Sequence, residues 1–424
     1  MQIKAIRGTK DILPDTVSKW VAVESLARDL FAKYGYIEIR TPIIEDTALF
    51  KRSIGDTSDI VQKQMYTFQD RGERSITLRP EGTAPIVRAY LENNINNKQG
   101  LTKLFYMGPM FRAERPQAGR QRQFHQIGVE AIGSSSPYLD AEIISLIAVF
   151  LERAGINNFV VKINSLGCAD DKDKFSAVLK KELKLKSGSL CEDCQQRFEK
   201  NIFRVLDCKN PECKKIVGAN GHSPLLKTSA ILCKDCSGHF DKVKEGLDLL
   251  GIKYTVDNHL VRGLDYYTKT VFEVTSSALG SQDALAAGGR YDNLIKDLDG
   301  PDAPAVGFAI GIERLLMAQD KCRGEVTSPL RNKVYIATLG EEARKKGFKL
   351  VSALRNADVS CLMDFEDKSL KAQLKAASNQ GCHYAAILGD DELAKNKIIL
   401  RDMSKSEQSE ISIESFVTYL KSIS

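Results

Sequence analysis

No apolar run in this sequence approaches the roughly 18–20 residues that cross a bilayer as a helix, so no membrane-spanning segment is expected. The opening stretch, MQIKAIRGTKDILPD, has only isolated apolar residues and no cleavage pattern behind them, so it does not read as a secretory signal. A G-x-x-x-x-G-K-[ST] loop is missing as well, which excludes a Walker-type ATPase. Charge of one sign is scarce: 61 Lys and Arg against 55 Asp and Glu leave a net +6, which permits a polyanionic partner without demanding one. What is present is ordinary for a soluble globular chain. Its 424 residues, 43% hydrophobic and 27% charged, suffice for two or three domains, each with its own core. A cytoplasmic protein is expected, with its ten cysteines as thiols or metal ligands before disulfides.

Hydrophobic spacing predicts a helix over residues 17–34, then a strand in YIEIRTPIIE broken by Pro42. Thr77 to Arg79, LFYMGPMFR (104–112) and FHQIGVEAIG (124–133) read as strands. The link between the last two is too short for a crossover helix, which makes them an antiparallel hairpin. A helix over 139–154 and a strand in NFVVKINSLG follow. From about 169 to 252 the chain is Lys-rich, helical in pattern and holds six of the ten cysteines, and it reads as an insertion. TVFEVTS and AVGFAIGIERLLMAQ resume a strand and a strand-to-helix unit. After the polar segment DKCRGEVTSPLRN, strands KVYIATLG, VSCLMDF and HYAAILG alternate with helices, which implies a parallel βαβ-type sheet. The pattern therefore gives a unit over 1–325 with the insertion 169–252 inside it, a boundary near 322–331, and a C-terminal α/β unit over 331–424.

The loop of the hairpin carries Arg112, Arg115, Arg120 and Arg122, and the strand behind it places Gln126, Gly128 and Glu130 on one face. Guanidiniums give bidentate, permanently charged contacts to phosphate oxygens, so the loop suits a nucleotide or nucleic acid backbone; it also fits a solvated hairpin loop. The glycine between an amide and a carboxylate suggests a floor on which a ligand lies, while His125, Ile127, Val129 and Ala131 on the other face suit a core. In TLRPEGTAPIVRAY, Glu81, Gly82 and Thr83 stand at a helix start, where they fit either an ammonium site or a plain helix cap. LVRGLDYYTKTVFEV places Arg262, Tyr266 and Tyr267 in a turn before a strand. AAGGRYDNLI puts two glycines ahead of Arg290 and Tyr291, a pattern that also fits a simple turn. Gly307, Ala309 and Gly311 leave one strand face nearly bare, either for a flat heterocycle or for tight helix packing, with Arg314 at the helix start that follows. Cys191-x2-Cys194 and Cys233-x2-Cys236 have the spacing of a tetrahedral zinc site. The intervening Cys208-x4-Cys213 pair and nearby His239 leave the ligand set open, so a structural zinc is one expectation and the metal content stays unassigned.

Taken in order, the helix and strand ending at Pro42, FRAER and GFAIGIER resemble the three motifs of class II aminoacyl-tRNA synthetases. The TLRPEGTAPIVRAY, LVRGLDYYTKTVFEV and AAGGRYDNLI segments narrow the resemblance to the histidyl-tRNA synthetase family, over nearly the whole chain. It implies an antiparallel-sheet catalytic domain with a mainly helical insertion, plus a C-terminal α/β anticodon-binding domain. It implies activation of L-histidine with ATP and Mg²⁺, transfer to tRNA(His), and a homodimer joined through the first helix-and-strand segment. Arg112 and Arg262 would be catalytic, with Glu81, Gly82, Thr83, Arg112, Gln126, Glu130, Arg262, Tyr266 and Tyr267 around histidine. Arg112, Arg120 and Arg314 would hold ATP, and Arg115, Gln117 and Arg122 would meet the tRNA acceptor end. In-line attack on a phosphorus needs positioning and charge neutralisation rather than a protein nucleophile, which agrees with the absence of a plausible Ser or Cys nucleophile. A catalytically silent relative that regulates ATP phosphoribosyltransferase, or a non-catalytic RNA- or amino-acid-binding module, would share the fold. The former typically loses the C-terminal domain and much of the histidine signature, and the latter would not need both Arg112 and Arg314.

Overall fold

The structure, a computed structural model, describes residues 3–55, 58–95, 100–208, 210–217, 231–323, 334–366 and 368–423, without the side chains at 281 and 282. The chain divides into two compact units, Met1–Val326 and Thr327–Ser424. The boundary expected near 322–331 falls largely on residues 324–333, which lie outside the described residues.

The first unit opens with helix α1 (Pro14–Lys33), whose Pro14 sits in the first turn where its missing N–H costs nothing. Val23, Ala27, Leu30 and Phe31 recur at helical spacing and are buried; Gly35, at φ 81°, lets the chain turn back after the helix. Strands β1 (Ile37–Glu38) and β2 (Ile44–Asp46) flank Pro42, followed by α2 (Thr47–Ile54). Strands β3 (Tyr66–Gln69) and β4 (Ser75–Leu78) then join β2 in a small sheet of order β2-β4-β3, and α3 (Thr83–Glu92) follows. The expected hairpin is β5 (Thr102–Phe111) with β6 (Gln123–Ile132), antiparallel, with Tyr106 opposite Gly128 and Leu104 opposite Glu130. After it come α4 (Pro137–Arg153), β7 (Val160–Ser165), α5 (Ala169–Leu183), α6 (Glu192–Lys200), α7 (Phe203–Leu206), α8 (Pro211–Ile216) and α9 (Lys234–Leu249). Strands β8 (Tyr254–Val256), β9 (Thr268–Thr275) and β10 (Ala284–Arg290), helix α10 (Leu294–Asp297), strand β11 (Ala305–Gly311) and helix α11 (Ile312–Arg323) complete the unit.

The main sheet runs β1-β5-β6-β11-β10-β9-β7-β8, antiparallel except at its two edge pairings. Strand alternation then sorts its side chains. Ile127, Val129 and Ala131 of β6 face a core shared with α1, α4 and α9, in which Phe31 meets the rings of Phe105, Phe150 and Phe308 at 5.5, 5.8 and 6.1 Å. Gln126, Gly128 and Glu130 face the other way. The helical stretch read as an insertion divides between these two sides. Phe240, Val243 and Leu247 of α9 join the main core against α4, where a side chain at Gly246 would meet Ala141 Cβ at 2.8 Å. Helices α5 to α8 instead pack with α3 and the segment around Tyr266 and Tyr267.

In the second unit, β12 (Val334–Thr338), α12 (Glu341–Asn356), β13 (Cys361–Met363), α13 (Leu370–Asn379) and β14 (Tyr384–Leu388) form the expected alternation, and the three strands are parallel. The short helix α14 (Asp390–Ala394) then leads into β15 (Lys397–Asp402) and β16 (Gln408–Ser412), both antiparallel, before the closing helix α15 (Phe416–Ile423). The sheet is therefore mixed rather than wholly parallel. Strand β16, QSEIS, is polar and largely exposed, and carries no apolar alternation by which sequence could find it.

Candidate active site

On the sheet face opposite α1 and α4 lies a cavity of about 750 Å³, walled by the β5–β6 hairpin, the start of α3, the Arg262–Tyr267 segment, β10, β11 and residues of α6 and α7. That size suits a nucleotide together with a small metabolite.

One end is acidic and aromatic. Glu81 sits before α3 and accepts the backbone N–H groups of Thr83 and Ala84 at 2.7 and 2.8 Å, so it caps the helix and faces the cavity at once. Glu130 lies one layer behind the wall, with its carboxylate accepting the hydroxyls of Thr83 (2.7 Å) and Tyr291, both of which line the cavity. Burial, reinforced by Glu81, pushes the Glu130 carboxyl up to about 8 against the lowering effect of those two hydroxyls. Burial likewise raises Glu81. The Tyr266 and Tyr267 rings meet at 4.7 Å, tilted by 49°, and Tyr266 meets the Tyr291 ring edge-on at 5.6 Å. The Gln126 amide oxygen is buried there with no hydrogen-bond partner among the described residues, as a group awaiting a ligand would be.

The other end is cationic. Arg112 donates to the Pro80 carbonyl at 2.9 Å and lies over the Phe124 ring at 5.1 Å. Arg120 is tied to Glu114, and Arg314 donates to the carbonyls of Gly119 (2.8 Å) and Ala284 (3.0 Å), joining the tip of the arginine loop to the start of α11. Burial, with a smaller contribution from neighbouring guanidiniums, holds Arg112 and Arg314 below the ordinary arginine value. Arg262 differs. Burial opposes its charge, but the Glu273 carboxylate at 2.8 Å outweighs that and raises it, while its Nε remains buried without a partner among the described residues. Between the two ends, Ala287, Ala309 and Gly311 offer a small, flat apolar floor.

Similarity to known proteins bears on what such a cavity serves. The family model described as histidyl-tRNA synthetase matches residues 8–182 and 213–315, and an anticodon binding domain model matches 333–423. The chain belongs to the histidyl-tRNA synthetase family. Relatives named histidine–tRNA ligase from Natranaerobius thermophilus and Halothermothrix orenii are 47% and 48% identical, each over the full length of both chains. The crystal structure of apo histidyl-tRNA synthetase from S. aureus superposes with a TM-score of 0.82 at 36% identity, covering 99% of this chain and 100% of that one. A crystal structure from Bacillus halodurans, of an ATP phosphoribosyltransferase regulatory subunit/histidyl-tRNA synthetase, shares the fold at a TM-score of 0.66 and 22% identity, covering 89% of this chain and 97% of that one.

For a histidyl-tRNA synthetase, the expected site residues separate into three groups. Glu81, Thr83, Arg112, Arg120, Gln126, Arg262, Tyr266, Tyr267 and Arg314 line the cavity. Gly82 and Glu130 stand just behind it. Arg115 and Gln117 are exposed on the loop, and Arg122 is at the loop's base, where its N–H donates to the Gly8 carbonyl at 2.7 Å and its stem packs on Gly8.

Three bare-backbone readings change. Gly128 is not a ligand floor: a side chain there would meet the Tyr106 ring at 2.4 Å, and one at Gly82 would meet the same ring at 2.2 Å, so both glycines make room for Tyr106. A side chain at Gly307 would strike the Glu130 carboxylate at 1.9 Å, so that glycine is bare to make room for Glu130, although it lines the cavity with Ala309 and Gly311. Gly288 and Gly289 form no turn; they lie within β10, where close approach to the Gly307 carbonyl and the Tyr267 ring leaves no space for a side chain. Sequence reasoning assigned no site role to Tyr291, Tyr106 or Glu273. The strand register could have found Tyr106 opposite Gly128.

The cysteines also regroup. Cys191 and Cys194 gather with Cys208 and Cys213, whereas Cys233 and Cys236 gather with Cys168 and Asp171, so the two C-x2-C pairs do not share a site. His239 joins neither group; its Nε2 is 2.9 Å from Asp140. All ten cysteines are free thiols.

Proposed function

We infer that this chain activates L-histidine with ATP and transfers it to the 3′ end of tRNA(His). The observation that carries this is one cavity with guanidiniums at one end and a buried carboxyl, two hydroxyls and paired tyrosines at the other. The histidine α-carboxylate attacks the α-phosphorus; the new O–P bond forms as the bond to pyrophosphate breaks. A terminal ribose hydroxyl of the tRNA then attacks the activated carbonyl and AMP leaves.

Arg112 and Arg262 neutralise the α-phosphate and the carboxylate, Arg120 adds charge beside the nucleotide, and Arg314 takes the γ-phosphate. The purine lies on Ala309 and Gly311. Mg²⁺ would supply charge neutralisation at the phosphates; the wall carboxylates that would hold it are Glu273, now paired with Arg262, and Glu313, whose oxygens now accept the His125 backbone N–H, so either would have to share the ion with that partner. Glu81, Thr83 and Gln126 hold the α-amino group. Glu130 reads the imidazole with Thr83, Tyr291 and Tyr267, so analogues lacking ring N–H groups are rejected by roughly 10⁴ or more.

The exposed Arg115 and Gln117 are the loop residues that suit the tRNA acceptor end, with Arg122 positioning them, and helices α5 to α8 suit its stem. The C-terminal unit is assigned to the anticodon; its 14 Lys and Arg against 13 Asp and Glu from Lys333 onward mean that affinity there rests on local clustering. A homodimer is supported by exposed Leu13 just before α1, exposed Val17 and Val21 on it, and exposed Ile37, Ile43 and Ile44 around edge strand β1. No helix among the described residues is long and apolar enough to cross a membrane.

The test is ATP–pyrophosphate exchange with each of the twenty amino acids. Exchange with histidine alone is the expected result. Histidine binding without exchange would instead favour a regulatory role of the kind named for the Bacillus halodurans protein.

A further inference from the structure

The family model leaves residues 183–212 unmatched, and that stretch holds Cys191, Cys194 and Cys208, with Cys213 one residue beyond it. The elements here are short. Cys191 stands at the N-cap position of α6 and Cys194 lies in its first turn; Cys208 follows the four-residue α7, and Cys213 lies in the six-residue α8. Helices of this length do not persist in water without an outside constraint. Yet the four sulfurs lie within 4.8 Å of one another, with Cys191 Sγ and Cys208 Sγ 3.8 Å apart. A tetrahedral zinc thiolate with Zn–S bonds of about 2.3 Å sets its sulfurs about 3.8 Å apart. That separation is far beyond a disulfide, whose bond is about 2.05 Å. Backbone N–H groups already point at the sulfurs: Cys191 N–H at Cys213 Sγ (3.2 Å) and Asn210 N–H at Cys208 Sγ (3.4 Å). Such bonds support thiolates that carry metal.

We propose that Cys191, Cys194, Cys208 and Cys213 bind one structural Zn²⁺, which ties α8 to α6 and α7 and fixes those two as part of the cavity wall. Arg204, on α7 between the two cysteine pairs, donates to the Gly263 carbonyl at 2.5 Å, next to Arg262, and to Asp59 at 2.9 Å. Arg197, on α6, reaches the same Asp59 oxygen at 2.9 Å. The metal therefore holds in place the strut on which the Arg262 turn rests, and its role is positioning.

The second cysteine group serves as an internal control. Asp171 there accepts the backbone N–H groups of Cys233 (2.9 Å) and Cys168 (3.4 Å), so its carboxylate is accounted for by helix capping. Full-length protein purified without chelator, analysed by elemental mass spectrometry, is expected to carry one zinc per chain. Cys194→Ser and Cys213→Ser should lose it, and Cys236→Ser should keep it. Because the serine variants can misfold, the wild-type protein is also exchanged with Co²⁺; intense sulfur-to-cobalt charge transfer with tetrahedral d–d bands is expected. Zinc-free protein that takes up neither Zn²⁺ nor Co²⁺ overturns the proposal, as does iron in place of zinc, or metal lost from Cys236→Ser but retained in Cys194→Ser. None of these readouts depends on aminoacylation.

Discussion

Arg262 and Arg290 come from the two segments that resemble the histidine signatures, and both are withdrawn from solvent, yet they are different kinds of residue. Arg290 is fully buried behind β10, where it pairs with the equally buried Asp140 at 2.7 Å and donates to the carbonyls of Ser134 and Ser136. Asp140 also receives His239 of α9, so this arginine joins β10, α4 and α9. Arg262 uses Nη1 on Glu273 and leaves Nε buried and, among the described residues, unpartnered at the cavity wall. A guanidinium whose hydrogen bonds are all made holds the fold together; one with a donor left over holds a ligand.

Two substitutions test that distinction. Removing Arg290 leaves the buried Asp140 carboxylate with His239 as its remaining side-chain partner and without its guanidinium counter-charge, so Arg290→Ala should lower unfolding free energy by about 3–5 kcal/mol. Urea unfolding checks it; a variant that keeps wild-type stability yet loses histidine affinity would place Arg290 in the site instead. Arg262→His should leave the melting temperature within a few degrees of wild type and cut adenylate formation a hundredfold or more, about 3 kcal/mol of transition-state stabilisation. Single-turnover adenylate assays at saturating histidine isolate that step, and near-normal rates would remove Arg262 from the mechanism.

Much of this was legible beforehand because periodicity reports which face is buried. The β5–β6 hairpin, α1, α4 and the parallel part of the second unit all carry apolar alternation or helical spacing that their packing obeys. What sequence could not show was which side chain fills the space over a glycine. Gly128 suggested a ligand floor, and Tyr106, directly opposite in register, occupies it. Gly288 and Gly289 suggested a turn because close backbone approach across three adjacent strands leaves the same residue choice as a tight bend. The cysteine pairs misled for a related reason: spacing along the chain limits which sulfurs can meet, but only helix packing decides which do.

A third test sharpens the comparison at the acidic end. The native Glu130 carboxyl, raised to about 8 from an ordinary 4.5, keeps a proton that the unfolded chain has already lost between those values. The unfolded state then binds fewer protons, so stability falls as pH rises across that window, by about 1.4 kcal/mol per pH unit, and levels off above it. Glu130→Gln should remove that slope and be more stable than wild type at pH 8 while failing to activate histidine. Since free imidazole titrates near 6.5, a neutral ring read through the Thr83 and Tyr291 hydroxyls against a protonated Glu130 predicts a kcat/KM for histidine that declines below about 6.5 and above about 8. A plateau persisting above pH 8 would mean that recognition of the ring does not depend on the Glu130 proton.

The smallest effect expected is at Arg115, which is exposed, unlike Arg120 on the cavity wall. An exposed guanidinium contributes to a phosphate contact mainly through counterion release, so its loss should weaken tRNA binding only a few-fold at moderate salt. Arg115→Ala should therefore leave pyrophosphate exchange untouched, raise the KM for tRNA, and reduce the slope of log affinity against log salt by about one. Arg120→Ala should instead impair exchange itself, about tenfold, because its charge sits beside the nucleotide. If Arg115→Ala lowered exchange as much as Arg120→Ala, the loop would have to fold inward over ATP when the substrates bind, and exposure in the empty site would no longer separate the two residues.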